Sequence, residues 1–244
     1  MCIRDRLDDI AKSSRVYPFI RFKQEKKLYN NILEVENLSK SYDDLKVLDK
    51  INFSVDVGER IAILGANGIG KTTLINSLVD MDTKDSGDIT WSMNANIGFF
   101  SQDAEENIDS ELSLINWMGQ WSDSSDTEQE IRSILGKLLF SKDDIHKPIN
   151  VLSGGEKRRI LFGKIIMQQP NVIIMDEPTN HLDMESIESL NSALSQYEGT
   201  LLFASHDREF ISSLATRVIE LKPGKMLDHL TSGEEELSRI HIDK

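Results

Sequence analysis

The chain has 244 residues, with 28 Lys and Arg against 41 Asp and Glu, which gives a formal net charge of −13 at pH 7. The first thirty residues depart from this balance, since they hold eight Lys and Arg against four Asp and Glu. An acidic body excludes broad coating of nucleic acid, because neutralising phosphates requires a basic surface. The basic leader leaves two explanations open: a local contact with RNA, or a solvated helix end or linker.

The composition also restricts the compartment. Cys2 is the single cysteine of the chain, so no internal disulfide can form, and a reducing compartment suits the protein. No apolar run approaches the roughly 20 residues that span a bilayer, and the N-terminus lacks the apolar segment of a signal peptide. We therefore expect a cytoplasmic protein without a membrane part, built as one domain with an attached lobe.

The predicted elements begin with the charged leader, residues 1–31, which is interrupted by "VYPFIRF" and predicts the end of a helical linker followed by a short extended segment. From Ile32 the stretches "ILEVENLSKSY" and "KVLDKINFSVDV" predict alternating strands, and "ERIAIL" predicts a buried strand. "KTTLINSLVD" has helical spacing, whereas "GDITW" and "NIGFF" are typical of strands. Residues 103–150 are acidic and helical in period, and they predict an inserted helical lobe.

Strands and helices alternate in the rest of the chain. The pattern predicts a loop at "LSGGE", a helix in "RRILFGKIIMQQ", and then the strand "NVIIM". A helix in "MESIESLNSALSQY", the strand "TLLFA", the helix "DREFISSLA" and the strand "RVIEL" follow. This alternation indicates an α/β fold with a parallel or mixed sheet. Five apolar residues of the lobe are expected to form its core rather than a partner site; they are Trp117, Trp121, Leu135, Leu138 and Phe140.

The stretch "GANGIGKTT" matches the phosphate-binding pattern G-x-x-x-x-G-K-[ST] and lies between a predicted buried strand and a predicted helix, as that motif requires. Its glycines let backbone N–H groups turn toward phosphates at a helix N-terminus. We expect Lys71 to reach the β- and γ-phosphates and Thr72 to offer its hydroxyl to Mg²⁺. The predicted nucleotide-binding residues of this P-loop are Gly65, Ala66, Asn67, Gly68, Ile69, Gly70, Lys71, Thr72 and Thr73.

A second motif, "NVIIMDEP", runs from an apolar strand directly into Asp176 and Glu177. Carboxylates at the end of a buried strand are costly unless a cation or another partner meets them. Asp176 is therefore predicted to hold Mg²⁺, and Glu177 to orient and activate an attacking water.

Three single residues are weaker signals. His206 follows the predicted strand "TLLFA", where a histidine can hydrogen-bond a γ-phosphate or the water beside it. Gln102 follows "GFF" and is a candidate for contact with Mg²⁺ or that water, and Tyr42 is a candidate for stacking on adenine. A surface or capping role explains a lone His or Gln as well, and an ordinary turn aromatic explains Tyr42.

The order of these motifs, with "LSGGE", "NHLD" and "SHD" in addition, resembles the nucleotide-binding domain of ABC ATPases from about Ile32 to Leu230. The resemblance implies an ABC-type P-loop NTPase domain over 32–244, with an antiparallel β subdomain and an α-helical subdomain at about 103–150. It implies ATP and Mg²⁺ as ligands. It also makes Glu177 the catalytic base, His206 the switch histidine, and Gln102 a Q-loop residue beside the metal.

The "LSGGE" stretch acquires a meaning from the same resemblance. In ABC ATPases this signature loop binds the γ-phosphate of a nucleotide that the P-loop of another domain holds. The residues concerned are Ser153, Gly154, Gly155 and Glu156, and Asp183 corresponds to the D-loop aspartate. A second ABC domain is thus the implied partner.

The exact residues of three motifs indicate one group within the ABC ATPases. "LSGGEKRR", "DEPTNHLD" and "SHDREF" resemble the ABC-F group, whose members carry two ABC domains in one chain and act at the ribosome. "SSRVYPFIRF" and "RSILGKLLFSKDDIHKP" look like the second domain of the YbiT branch of that group. Leu7–Asn31 resembles the end of the interdomain linker, a helical arm that in the family reaches toward the peptidyl-tRNA site. The implied partners are the ribosome and tRNA, with no membrane.

One departure from the family is large, because the chain has one P-loop and one "LSGGE". We expect a C-terminal piece whose partner is an absent first ABC domain or a second copy of the chain, with Met1–Arg6 unrelated to the linker. The leading hypothesis is an ATPase that gates a ribosome-bound state. The alternatives are the ATP-binding subunit of an ABC membrane transporter and a degenerate binding module without turnover. As a monomer, the chain is expected to bind ATP but to hydrolyse it poorly.

Overall fold

The structure is a computed structural model, and it describes residues 17–29, 31–103, 108, 110–122 and 127–230. Met1–Arg6 and the predicted helical part of the leader up to residue 16 lie outside these residues. The strands are β1 Asn31–Tyr42, β2 Leu45–Asp56, β3 Arg60–Leu64, β4 Ser86–Trp91, β5 Ile97–Phe100, β6 Val172–Asp176, β7 Thr200–Ala204, β8 Arg217–Lys222 and β9 Lys225–Leu230. The helices are α1 Lys71–Val79, α2 Leu114–Gly119, α3 Glu128–Lys137, α4 Gly154–Gln168, α5 Met184–Ser195 and α6 Arg208–Leu214.

The larger of two sheets has the strand order β5-β6-β7-β3-β8-β9. Its strands are parallel from β5 to β8, and β9 is antiparallel to β8. Both faces are buried, because side chains alternate between two hydrophobic cores: on β3, Ile61 and Ile63 pack into one core, and Ala62 and Leu64 pack into the other. Burial on both faces is what nearly continuous apolar strands such as "NVIIM" require.

The smaller sheet is antiparallel, with the order β2-β1-β4. The two long stretches predicted as alternating strands form β1 and β2, each of 12 residues. Their buried positions pack with α1 and one face of the larger sheet. The antiparallel β part expected from the resemblance is therefore present, beside the mixed α/β sheet.

A helical part built on α2 and α3 packs on the other core. Leu135 and Leu138 are fully buried, and Trp117 and Phe140 are almost so, as expected of core residues. Trp121 is half-buried instead: it meets Trp117 edge to face and lies under the Lys164 ammonium, 4.1 Å from its ring centroid.

The part of the leader that the structure describes, residues 17–29, is extended rather than helical. Ile20 and Phe22 are buried in the main core, and the Phe19 N–H donates to the Lys137 carbonyl at 2.8 Å. The Ser189 hydroxyl donates to the Pro18 carbonyl. The predicted extended segment is thus fixed to α3 and α5.

The beginning of α4 differs from the sequence prediction. The pattern predicts a loop at "LSGGE" that ends before Arg158, but α4 begins at Gly154 and Ser153 is its N-cap. The Glu156 N–H donates to the Ser153 hydroxyl, and the Glu156 side chain accepts from the Ser153 N–H. This capping box satisfies the first turn of the helix in a stretch whose two glycines suggest a loop.

Candidate nucleotide-binding site

The predicted site residues meet at one edge of the larger sheet. Four neighbouring parallel strands, β5, β6, β7 and β3, end at this edge. Gln102 follows β5, Glu177 follows β6, His206 follows β7 and the P-loop follows β3. Because parallel strands present their carboxyl ends on the same side, distant sequence segments converge there. The resulting cleft has a volume of about 620 Å³ and is lined by Tyr42, Leu45, Val47, Asn67, Gly68, Gly70, Lys71, Thr72, Thr73, Gln102, Asp176, Glu177, Asn180 and His206.

The backbone of the P-loop explains its glycines. Gly65, Gly68 and Gly70 have φ values of +149°, +74° and +117°, which residues other than glycine rarely adopt. A Cβ on Gly65 would lie 2.7 Å from the Leu221 carbonyl oxygen, and one on Gly70 would lie 2.6 Å from a Val47 methyl. Gly65, Ala66 and Ile69 shape the loop but do not line the cleft.

The helix that follows the P-loop starts without a side-chain cap. Gly70 is the N-cap of α1 and supplies no side-chain hydrogen bond. The first N–H groups of a helix have no partner within the helix, and together with the helix dipole they favour an anion. The start of α1 is therefore suited to a phosphate.

Lys71 lies at this helix start and is buried. Its ammonium donates to the Gly65 carbonyl at 2.9 Å and to the Ala66 carbonyl at 3.4 Å, and lies 3.3 Å from His206 Nε2. Burial lowers the pKa of Lys71, while Glu177 and Asp176 act to raise it. The ammonium thus stands between the loop and two carboxylates.

The two carboxylates are buried at the end of β6, with Asp176 1% and Glu177 5% exposed. Burial raises the pKa of both groups; Lys71 and His206 act in the opposite direction on both, and the Thr72 hydroxyl does so on Asp176. Within the described residues, neither carboxylate oxygen of Asp176 has a hydrogen-bond partner. Such a group is costly unless a cation compensates it.

These groups fit a magnesium ion. The Thr72 hydroxyl donates to the Gln102 amide oxygen at 3.4 Å, and both line the cleft with Asp176. A hydroxyl, an amide oxygen and a carboxylate are hard oxygen donors, the type that Mg²⁺ prefers. The burial of the Asp176 carboxylate, which is only 1% exposed, is the observation that favours a bound cation here.

Glu177 has an unusual backbone. Its φ is +48°, a left-handed conformation that costs a non-glycine residue energy and that accumulates at functional sites. The Glu177 N–H donates to the Ala204 carbonyl at 2.9 Å, which holds this conformation. One carboxylate oxygen accepts from the His206 N–H at 3.2 Å, and the other lies 3.3 Å from His206 Nε2. The carboxylate is thereby oriented in the cleft.

The signature stretch, residues 153–156, does not reach this cleft, and neither does Asp183. Ser153, Gly154 and Gly155 are exposed, and a Cβ on either glycine would meet nothing within 4 Å. Hydrogen bonds from Ser153 lower the pKa of Glu156. Nothing within the described chain requires glycine at these positions.

Sequence reasoning missed two arginines that connect the signature helix to other motifs. Arg158 is 2% exposed, lies over the Phe100 ring, and donates to the Gln102 carbonyl at 3.4 Å. Arg159 lies over the Phe140 ring and lowers the pKa of Asp183, although hydrogen bonds from Ser186 have the larger effect. The sequence signal that could have identified both arginines was their position just after the signature motif, in "LSGGEKRR". Leu45, Val47 and Asn180 of the cleft were also missed, because no motif read from the sequence assigned them a role.

A P-loop facing a buried Asp-Glu pair, with a glycine-containing helix start elsewhere on the domain, defines an ABC-type ATPase. A family model described as ABC transporter matches residues 48–180. The chain belongs to this ABC ATPase family. The expectation of an ABC ATPase fold is confirmed. The expectation that the domain belongs to a class of ATPases is confirmed as well.

The relatives place the chain among ABC-F-type proteins. It is 55% identical over 98% of its length to the ATP-binding protein YbiT of Escherichia coli O157:H7, of which it covers 45%. It is 40% identical over 98% of its length to the ABC transporter ATP-binding protein YkpA of Bacillus subtilis (strain 168), covering 44% of that relative. ABC transporter F family member 5 of Arabidopsis thaliana is 33% identical over 86% of the chain, which covers 30% of it. The chain thus spans less than half the length of these relatives.

Solved structures show the same fold. A bacterial Atm1-family ABC exporter with ATP bound aligns with a TM-score of 0.71 and 20% identity over 91% of this chain and 42% of that one. An inward-facing metal-chelate type ABC transporter aligns with a TM-score of 0.65 and 25% identity over 86% and 88%. Among the residues that the structure describes, no helix is long and apolar enough to cross a membrane.

Proposed function

We propose that this chain binds ATP in the cleft and hydrolyses it when the signature stretch of a second ABC domain completes the site. One observation carries this proposal: residues 153–155 stand exposed, away from the cleft, with glycines that nothing within the described chain requires. A glycine pair at a helix start suits close approach of a phosphate from outside. The cleft and the signature stretch are then halves of two different sites.

The nucleotide is proposed to lie across the cleft. Tyr42, which is 53% exposed, stacks on the adenine, with Leu45 and Val47 beside it. The phosphates meet the N–H groups of the P-loop and of the start of α1. Lys71 exchanges the Gly65 and Ala66 carbonyls for the β- and γ-phosphates, and Thr73 lines the same end of the cleft.

Mg²⁺ is proposed to be held by Thr72, Gln102 and Asp176, with Asp176 bound directly or through water. When bound, the ion neutralises charge on the β- and γ-phosphate oxygens. The roles of the chain's own residues follow from their positions. Asp176 gains the cation that its burial calls for, and Lys71 adds a second positive charge.

Glu177 is proposed as the general base. It accepts a proton from water as the water oxygen bonds to the γ-phosphorus; the bond from that phosphorus to the bridging oxygen breaks, and ADP leaves with the electron pair. Burial raises the pKa of Glu177, which makes its carboxylate a stronger base. The His206 N–H orients that carboxylate, and the His206 ring hydrogen-bonds the γ-phosphate.

The signature stretch is proposed to serve the partner's nucleotide. Ser153, Gly154 and Gly155 face the γ-phosphate of that nucleotide, while Glu156 holds the helix start and Asp183 lies at the domain interface. The Ser153 hydroxyl now donates to the Glu156 carboxylate at 2.6 Å, so closure requires it to turn from the carboxylate to the phosphate. The partner is the first ABC domain of a longer protein or a second copy of this chain.

At the level of the cell we propose a cytoplasmic, ribosome-associated translation factor in which ATP holds a closed form and hydrolysis releases it. The ABC-F relatives support this function over the membrane-transporter alternative. In this proposal the linker end, residues 7–31, leads toward the peptidyl-tRNA site.

Co-sedimentation with ribosomes tests this function. Glu177→Gln with ATP is expected to pellet with ribosomes and to stay in the supernatant with ADP. Lys71→Ala with ATP is the matched control and should not pellet, since it removes the charge that the phosphates need. Recovery of Glu177→Gln in a membrane fraction instead would favour the transporter alternative.

Turnover as a function of protein concentration tests the composite site. The dilute chain is expected to bind ATP, measured by a fluorescent analogue, with little phosphate release. If two copies pair, phosphate release per chain rises with concentration. Full turnover by a monomer, verified by sedimentation velocity, would contradict the composite site.

A further inference from the structure

The leader strap, residues 17–24, has two unlike faces. Pro18, Ile20 and Phe22 point into the protein and are buried. The alternate positions are exposed, and two of them are the cations Arg21 and Lys23. Phe19 stands between them and Tyr17 with 57% of its surface exposed. Along the extended backbone, the outward face thus presents two aromatic residues followed by two cations.

Phe19, Arg21 and Lys23 form one wall of a groove of about 310 Å³. The opposite walls come from α3 and from the end of α4, and they contribute apolar, hydroxyl and amide groups as well as one more cation. These residues are Glu130, Ser133, Ile134, Lys137, Ile166, Met167 and Gln169. The groove lies outside the nucleotide cleft and shares no residue with it.

The charge of the groove is opposite to that of the body. Within the part of the chain that the structure describes, Arg21, Lys23 and Lys137 form no ion pair with a carboxylate. Glu130 is the only acidic side chain among the described residues that line the groove, and its carboxylate caps the start of α3. It accepts from the Thr127 N–H at 2.6 Å and from the Thr127 hydroxyl at 3.0 Å. Among the described residues, three cations without an ion-pair partner therefore line the same groove as the exposed Phe19 ring, in a chain of net charge −13.

We propose that this groove binds an unpaired nucleotide of an RNA loop, with the base stacked on Phe19 and the neighbouring phosphates on Arg21, Lys23 and Lys137. Exposed rings beside cations are the combination with which proteins hold unstacked bases. A volume near the lower end of ligand pockets, which run from about 300 to 1,000 Å³, suits a nucleotide. A helix of a partner protein would instead favour a groove whose centre is depleted of charged residues, lysine above all.

The proposal deepens the ribosome association proposed above, and the choice of RNA over DNA rests on that function. The groove itself rests on the contacts of the strap. Its test uses short oligonucleotides without ribosomes, so that one proposal can fail while the other stands.

The test measures fluorescence anisotropy of a labelled decauridylate with a 5′-hydroxyl end, titrated with the whole chain at 25 to 200 mM KCl. Saturating Mg-ADP fills the nucleotide cleft, which removes it as a competing site. Replacing Phe19 by Leu is expected to weaken binding roughly tenfold, because it removes the stacking face. Phe19→Trp keeps such a face and is expected to retain the affinity.

The cations are tested together. The triple variant Arg21→Gln, Lys23→Gln, Lys137→Gln is expected to weaken binding at least tenfold at 25 mM KCl. It should also lower the salt slope by about 0.7 for each phosphate that the variant no longer neutralises. The matched control replaces three exposed lysines outside the groove, Lys50, Lys142 and Lys225, by Gln. This control should keep most of the affinity.

Three results would overturn the groove as a nucleotide-binding site: equal losses in the two triple variants, an unchanged affinity in Phe19→Leu, or no binding by the chain. Unchanged affinity in Phe19→Leu would show that the ring does not stack on a base. If the chain binds no oligonucleotide but Glu177→Gln still pellets with ribosomes, the groove proposal fails alone. A decadeoxythymidylate bound as tightly as the RNA would refute the choice of RNA.

Discussion

The two glycine-containing helix starts of this domain, the P-loop and the signature stretch, differ in what their glycines do. In the P-loop, three glycines have positive φ, and a Cβ on Gly65 would collide with the Leu221 backbone. In the signature stretch, Gly154 and Gly155 lie in the first turn of α4 without a positive φ, and a Cβ there would meet open space. The first set is required by the chain's own fold, and the second is not.

The helix starts also differ in their hydrogen bonds. Gly70 gives α1 no side-chain cap, whereas Ser153 and Glu156 form a capping box on α4. The uncapped start carries Lys71 and lies in the same cleft as two buried carboxylates, whereas the capped start is exposed. The difference teaches that the first helix start is left uncapped, which suits an anion, whereas the second is capped by its own chain and exposed, as our proposal of a partner domain requires.

The largest effect is expected from a variant of the nucleotide-binding cleft that loses ATP hydrolysis but keeps ATP binding. Glu177→Gln removes the base and keeps the shape, so ATP hydrolysis should fall by about 10² to 10⁴-fold with ATP affinity retained. Phosphate release and equilibrium binding measure the two quantities. Glu34→Gln, at an exposed position of β1, is the control and should leave both unchanged. A Glu177→Gln variant with full turnover would place the base elsewhere.

The next prediction compares the glycines directly. Gly65→Ala should destabilise the domain by about 1–3 kcal/mol, because it forces a strained φ and a clash with backbone. That corresponds to a loss of about 2–4 °C in Tm per kcal/mol for a domain of this size. Gly155→Ala should leave stability unchanged or raise it by up to about 1 kcal/mol, since alanine suits a helix better than glycine.

Turnover at high protein concentration completes this comparison. Gly155→Ala should reduce it, because the new methyl group lies where the partner's phosphate approaches, while ATP binding by the dilute chain stays intact. Equal losses of Tm in Gly65→Ala and Gly155→Ala would remove the distinction between the two helix starts.

A smaller effect is expected for the cap of α4. Ser153→Ala should cost about 1 kcal/mol of unfolding free energy, measured in urea, because the capping hydroxyl is lost. Thr127 caps α3 with a second capping box, so Thr127→Ala is a matched control with a similar cost. Only Ser153→Ala should also lower turnover. A loss of turnover in both would assign it to helix stability instead.

The smallest effect concerns pH. Hydrogen bonds from Ser153 lower the pKa of Glu156 below its ordinary value. The resulting stability is present above the ordinary carboxylate pKa and is lost as pH falls through the lowered one. Because the group is largely exposed, its contribution stays under about 1 kcal/mol. The difference in urea midpoint between the chain and Glu156→Gln should therefore shrink between pH 6 and pH 3; a constant difference would contradict the cap.

Much of the site was readable from local pattern. The P-loop glycines, Lys71 and the Asp-Glu pair follow from motifs whose geometry is set within a few residues. The prediction for the first turn of α4 was wrong, because two glycines weaken a helix signal and the compensation by Glu156 lies three residues beyond its N-cap. The strand β9 was missed, since its exposed positions outweigh its apolar ones and its pairing with β8 provides the hydrogen bonds.

The sequence by itself determined the chemical groups and the local structure around them: an apolar strand before each polar cluster, a turn that only glycines can make, and a short extended segment in the leader. Only the tertiary structure decided which groups share a site. The strand order β5-β6-β7-β3 brings Gln102, Glu177 and His206 to the P-loop, while the signature stretch stays outside. The physical reason is that periodicity fixes which face of a strand is buried, whereas strand order depends on packing between segments that lie far apart in the chain, which no local pattern encodes.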